Sequence, residues 1–242
     1  MIACQISLHK RVSRNRMPRK YTLKKRAEQQ ADTRRRIVEA TVDLHGTIGP
    51  ASTTLSMIAE RAGVQRHTLY AHFPDERSLF MACSGLTFER DPMPDAAPWS
   101  EIPEVRARLC AGLAAVYGWY ARNAELAACV LRDAEHHAMT RDITALRFGP
   151  PMASYRQVLG SGLTQRQRLL LAVALNFHSW RTLADEGGLS PADAAEIFAD
   201  AIDSAGAADV ALVRAEVAMD AGRSTATRRA AGRSAGRVRS AT

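Results

Sequence analysis

The feature that most restricts how this chain can fold is an apolar repeat of 3.6 residues that recurs along most of its length. No Asn-Gly or Asp-Gly pair joins two alternating segments, so the strongest local signal for a β-hairpin is missing. The expected fold is all-α. Ile37, Ala40, Thr41, Leu44 and Ile48 share one face of a first helix that should begin near Asp32 and end before Gly49-Pro50. Thr54 can cap a short second helix that turns Ile58, Ala59 and Ala62 inward. Gly63 supplies the backbone freedom for a tight turn, Val64 faces inward, and a third helix through Leu69 and Tyr70 stops before Pro74. Asp75 opens a fourth helix, with Leu79, Cys83 and Leu86 on its inner stripe, that ends near Arg90. Asp91-Pro92-Met93-Pro94 and Pro98 then break the pattern, and a domain boundary belongs there.

Longer helices follow. Val105, Leu109, Leu113, Val116, Tyr117 and Tyr120 make one apolar face, which Ala115 and Trp119 widen until the helix reads as enclosed by others. Asn123 is a candidate cap for the next helix, through Leu126, Val130 and Ala134. A further helix from about Arg141 to Leu159 should be interrupted or bent at Gly149-Pro150-Pro151, since neither proline donates to a helical ladder. Thr164-Gln165-Arg166-Gln167 is a capping box. The helix that it opens is apolar on every side from Leu169 to Phe177 and should continue to about Ala184. Ser190-Pro191 starts the last one, with Ile197, Ala201 and Ile202 expected inward. So much apolar surface on two successive helices could be buried against a second copy of the chain.

Charge divides the chain more sharply than its net +8 conveys. Residues 1–36 hold twelve Lys/Arg against Glu28 and Asp32, and residues 221–242 hold six Arg and no acid, whereas the stretch between them sums to −8. Two basic ends on an acidic body point to a polyanion, nucleic acid before membrane, because neither end has the bulky apolar face of an interfacial helix. A pair of solvated tails is the plain alternative. Met17 offers a second possible start, and the repeated Ala-Gly-Arg of residues 221–237 cannot bury a core. The expected layout is a basic, disordered arm at 1–31, a helix-turn-helix domain at 32–90, a helical regulatory and dimerisation domain at 91–208, and an Arg/Ala/Gly-rich tail at 209–242, disordered beyond about 220. Four cysteines without a Cys-x-x-Cys pair fit a reducing, cytoplasmic setting near the nucleoid. The apolar run Leu169–Leu175 is far shorter than the ~20 residues of a membrane span, and no hydrophobic signal core opens the chain, so no membrane partner is expected.

Residues 53–80 carry the sharpest motif: a short helix, a glycine turn at Ala62-Gly63-Val64 and a second short helix. A helix-turn-helix of this kind lays its second helix in the major groove, here offering Gln65, Arg66, His67, Thr68 and Tyr70. Gln can pair with adenine and Arg with guanine, while Thr and Tyr hydroxyls can reach phosphate oxygens. On spacing alone, a helical hairpin inside any all-α core reads equally well. The wording narrows the choice. Thr53-Thr54-Leu55, Ile58-Ala59-Glu60-Arg61-Ala62-Gly63-Val64 and Thr68-Leu69-Tyr70-Ala71-His72-Phe73-Pro74 closely resemble the amino-terminal DNA-binding domain of the tetracycline-repressor (TetR) family over about residues 33–82. Phe177-His178-Ser179-Trp180-Arg181-Thr182-Leu183 resembles, more weakly, the penultimate helix of some members.

The resemblance implies an all-helical homodimer whose carboxyl-terminal domain binds a small molecule and dimerises through its last two helices. It implies DNA contacts from Thr54, Gln65, Arg66, His67, Thr68, Tyr70 and His72, with Arg77 beside the place where the family usually has a phosphate-binding lysine and this chain has Glu76. Phe73 reads as core. The expected function is a sequence-specific repressor released from a palindromic operator by a small-molecule ligand; the alternative is a nonspecific architectural DNA coater driven by the basic ends.

No enzyme motif or phosphate-binding loop occurs, and Cys110 or Cys129 with His137 or His178 would be the best catalytic pairing available. His136-His137 are adjacent and His67 and His72 lie five apart, so no helical metal pair is encoded and no cofactor is expected. Tyr117, Trp119, Tyr120, Phe148, Met152, Phe177, His178 and Trp180 are the candidate pocket lining, with ordinary core the competing reading.

Overall fold

In the computed structural model residues 19–207 are described, with side chains from residue 23 onward, and every regular element among them is helical. The arginine-rich repeats and the first eighteen residues lie outside the described residues. Helix α1 spans Arg19–Thr47, so the basic segment 19–31 is helix and not a disordered arm, and α1 starts well before Asp32. Its first half holds strong helix formers without a Gly or Pro, and Lys24–Glu28 and Asp32–Arg36 pair one turn apart on its surface. Apolar periodicity begins only at Ile37, which is why the early turns leave no signal.

Three short helices fold back on α1: α2 (Leu55–Arg61), α3 (Arg66–His72) and α4 (Glu76–Arg90). They enclose a small core of Ile37, Leu44, Ile58, Leu69, Phe73, Leu79 and Cys83. Thr54 caps α2 by accepting from Met57 N, and the Asp75 carboxylate caps α4 by accepting from Ser78 N. Gly63 takes φ +64° at the turn between α2 and α3, a left-handed position that glycine fills without a Cβ penalty.

The second core is larger. It forms around α6 (Val105–Arg122), whose Leu109, Leu113, Val116, Tyr117, Trp119 and Tyr120 are all buried, so the helix is enclosed as its breadth of apolar residues required. Around it stand α5 (Ala97–Ser100), α7 (Ala124–Ala134), α8 (Ala138–Leu159), α9 (Gln165–Ala174), α10 (Phe177–Gly187) and a final helix, α11, over 191–207.

Four local expectations are corrected here. Asn123 precedes α7, but its side-chain amide donates to Asp91 Oδ2 and Trp119 O and so does not cap that helix. Helix α8 is not interrupted at Pro150, which is exposed, or at Pro151, which is half-buried, and the carbonyls one turn back can meet water in place of the missing N–H donors. The apolar helix from Leu169 is in fact two helices. It stops at Ala174, and Asn176 restarts the chain as α10 by accepting from His178 N and Ser179 N. Finally, Ile197 and Ala201 of α11 face outward, while Ala194, Ala195, Ala199, Ile202 and Ala205 face the core.

Candidate DNA interface and regulatory cavity

Helix α3 is held from behind and open in front. Leu69 is buried against α1 and α2, whereas Gln65, Arg66, His67 and Tyr70 are exposed and Thr68 is half-buried. Arg66 Nη2 donates to Tyr70 Oη across one turn, which aligns the two side chains on the outer face. The frame is braced by α1. Arg36 donates to Ala62 O in the turn, Arg34 donates to His72 O, and the Arg34 guanidinium lies 4.1 Å over the Phe73 ring. Arg61 pairs with Asp43 on the outside of the same unit. Sequence does not single out these arginines, because only the folded geometry shows which of them fix the backbone and which stay free.

Of the expected DNA contacts, Thr54, Gln65, Arg66, His67 and Tyr70 lie exposed on or beside α2 and α3, and His72 is half-buried at the end of α3. Arg77 points elsewhere. Its Nη1 lies 3.8 Å from Asp142 Oδ2 on α8, so any phosphate contact must compete with that exposed pair.

The expected pocket lining separates into two groups. Tyr117 and Tyr120 are buried and donate their hydroxyls to Ala174 O and Leu175 O, and burial pushes both phenols far above their usual range. Phe177 and Trp180 pack on Tyr120, with ring centroids 5.4 and 5.6 Å away, and Met152 is half-buried against the same core. His178 is exposed at the start of α10. None of these residues lines the cavity formed by the second group.

Trp119 and Phe148 do line a cavity, of about 70 Å³, but it lies closer to the DNA-binding helices than expected. It sits between α1, α4, α6, α7 and α8, with His45, Phe80, Cys83, Phe88, Thr144 and Arg147 in its wall. Sequence periodicity gives Cys83 only a core role and leaves the rest of that wall unmarked. His45 is 4% exposed, and burial lowers its pKa to about 4, so the imidazole is neutral. Arg147 ties α8 to α4 by donating to Ser84 Oγ and Met81 O. A second tie runs from α7 to the loop after α1, where the Asp133 carboxylate accepts from Ala51 N and from Arg132 Nε. Burial alone would raise the Asp133 pKa, yet those bonds outweigh it and hold the carboxyl below its usual range.

Among the described residues no cluster of three or more His, Cys, Asp or Glu side chains could hold a metal ion, and no helix is long and apolar enough to cross a membrane.

Known proteins share this architecture. The sequence profile described as "Bacterial regulatory proteins, tetR family" matches residues 37–83, which span α1 to α4. No curated protein matches the chain. A TetR-like transcriptional regulator from Rhodococcus sp. RHA1 superposes with a TM-score of 0.51 at 22% identity, covering 74% of this chain and 96% of that one. A putative TetR-family transcriptional regulator from Mesorhizobium loti gives 0.52 at 18% identity, covering 74% and 97%. Another, from Rhodococcus sp., gives 0.50 at 20% identity, covering 72% and 98%. At these identities the solved structures establish the all-helical fold, and residues 37–83 are similar to the amino-terminal domain of the tetR family.

Proposed function

We propose that this protein is a dimeric, sequence-specific DNA-binding transcriptional regulator, a repressor released from a palindromic operator by a small molecule. The observation that carries the reading is the face of α3: Gln65, Arg66, His67 and Tyr70 stand exposed on a helix fixed by Leu69 and by the Arg34 and Arg36 braces. Such a rigid helix can enter the major groove. Leu169 and Val173 on α9 and Ile197 on α11 are large apolar side chains left exposed, and their burial between two copies supports dimerisation. A cytoplasmic, nucleoid-associated location follows from this activity.

Release works by population shift. The cavity shares Phe80, Ser84 and Phe88 with α4, the helix that leads out of the DNA-binding unit. A ligand that needs more room there than the about 70 Å³ present gains affinity for a conformation in which α4 has moved against α8. That movement alters the spacing of the two recognition helices, and only a difference in affinity between the two states can drive it.

Fluorescence anisotropy at physiological salt, comparing DNA upstream of the protein's own gene with a shuffled fragment, tests the reading. A preference of ~10³-fold or more is expected. Equal binding to every fragment tried, with steep salt dependence, would favour a nonspecific architectural role carried by the basic helical start of α1.

A further inference from the structure

The cavity behind α4 has a chemistry that narrows what can occupy it. Its walls are largely aromatic: Phe148 stands edge-on to Phe88 at 5.4 Å and 88° and to Trp119 at 5.6 Å and 80°, with the Phe80 ring also in the lining. No Asp or Glu lines it, so a cation finds no counter-charge. Its one guanidinium, Arg147, donates from Nε to Ser84 Oγ and from Nη2 to Met81 O and so already serves as the tie between α4 and α8. Two buried polar atoms in this lining have no hydrogen-bond partner: His45 Nε2 and Thr144 Oγ1. Such atoms are uncommon in folded proteins and costly to leave unsatisfied.

The state of His45 fixes what its free nitrogen wants. The Cys83 thiol donates to Phe80 O at 3.2 Å, which leaves sulfur lone pairs toward His45 Nδ1 at 3.7 Å. Taking the shorter contact as the thiol's hydrogen bond assigns the hydrogen of the neutral ring to Nδ1 and makes Nε2 an acceptor. The occupant should be uncharged, aromatic and equipped with one donor. Size sets a further limit. A cavity of about 150 Å³ in another protein holds benzene. The about 70 Å³ here is smaller, so even a single ring enters only as side chains give way.

Resting on the reading of this cavity as the ligand site, we propose that it takes a small neutral phenol, whose hydroxyl donates to His45 Nε2 while Phe80, Phe88, Trp119 and Phe148 enclose the ring. Thr144 Oγ1 then serves as a second partner for the phenolic oxygen. Hydroxyl recognition, and not bulk hydrophobicity, sets the specificity.

Isothermal titration calorimetry on the full chain at pH 7.5 tests this with phenol, toluene, benzoate and benzylammonium. Phenol should bind about tenfold or more tightly than toluene and than either ion. In His45→Phe, which keeps a ring in the wall and removes the acceptor, the phenol-to-toluene ratio should fall to within about twofold. The wild-type ratio decides by itself if that variant fails to fold. Equal affinity for phenol and toluene, an unchanged ratio in His45→Phe, or no binding of phenol overturns the proposal. Operator anisotropy with the same ligands separates the two readings. Phenol binding with the hydroxyl preference but unchanged operator affinity overturns ligand release and leaves this inference standing, whereas intact operator binding without phenol binding does the reverse.

Discussion

At Gly49 the backbone passes directly under Arg132 and Asp133 of α7. Its φ of +92° lies where L side chains are strained, and a Cβ there would stand 2.4 Å from both Arg132 Nη2 and Asp133 Oδ2. Gly49→Ala should therefore lower stability by about 1–3 kcal/mol, read as a Tm several degrees lower. If the Tm does not move, α7 is packed more loosely on the loop after α1 than these distances require. His45 gives a pH dependence at the same scale. Its folded pKa of about 4 lies below the unfolded value, so as pH falls from about 6.5 the unfolded chain takes up the proton first. Stability from this group is complete above about 6.5 and is lost between about 6.5 and 4. Urea unfolding across that range should show a flatter decline for His45→Gln than for the wild type. Asp133 acts in the same direction over a more acidic range: its folded pKa is depressed, so its contribution holds above the usual carboxylate range and is lost as pH falls through the depressed value.

Among the elements, α2, α3 and α4 were legible in the sequence because each start carries its own signal: Thr54, the turn at Gly63 and Asp75. The break between α9 and α10 was not. Leu169–Leu175 gives an unbroken apolar run, and the stop depends on partners distant in sequence. Asn176 takes the N–H groups of His178 and Ser179, while Tyr117 and Tyr120 take the carbonyls of Ala174 and Leu175, so the interrupted ladder leaves these four groups bonded. Tyr117 and Tyr120, expected as pocket walls, are thereby the stitch that permits the break. The start of α1 was also hidden, since it is a polar helix with no apolar stripe to reveal it. As a helix it projects Lys24, Lys25 and Arg26 on a rigid support. Replacing all three with Gln should weaken binding to specific and shuffled DNA alike and flatten the slope of log affinity against log salt by about 0.9 for each phosphate no longer neutralised. An unchanged slope would remove this segment from the interface.

For the whole molecule the decisive surface is the one that a single chain leaves uncovered. Leu169, Val173 and Ile197 are 61%, 49% and 47% exposed, large apolar groups on α9 and α11. Leu169→Asp combined with Ile197→Asp should shift the protein from dimer to monomer in sedimentation velocity and weaken operator binding strongly, because two linked half-sites become one. A dimer that persists would place the interface elsewhere. The domain-to-domain ties from Arg147 and Asp133 belong to this scale as well, since they join α8 to α4 and α7 to the segment between α1 and α2.

By itself the sequence determined the all-helical class and the short helix, turn, short helix of residues 53–80, because caps, a glycine turn and 3.6-residue periodicity are local properties that a short segment carries wherever it is placed, while the choice of a helix-turn-helix over a plain hairpin came from the resemblance of its wording. Only the tertiary structure decided which aromatic residues are core and which line a cavity. It also decided that Ile197 faces outward and that His45 and Cys83, thirty-eight residues apart, share one wall. Such outcomes depend on how helices distant in sequence meet, and periodicity can mark a side chain as apolar or inward without saying what it will face.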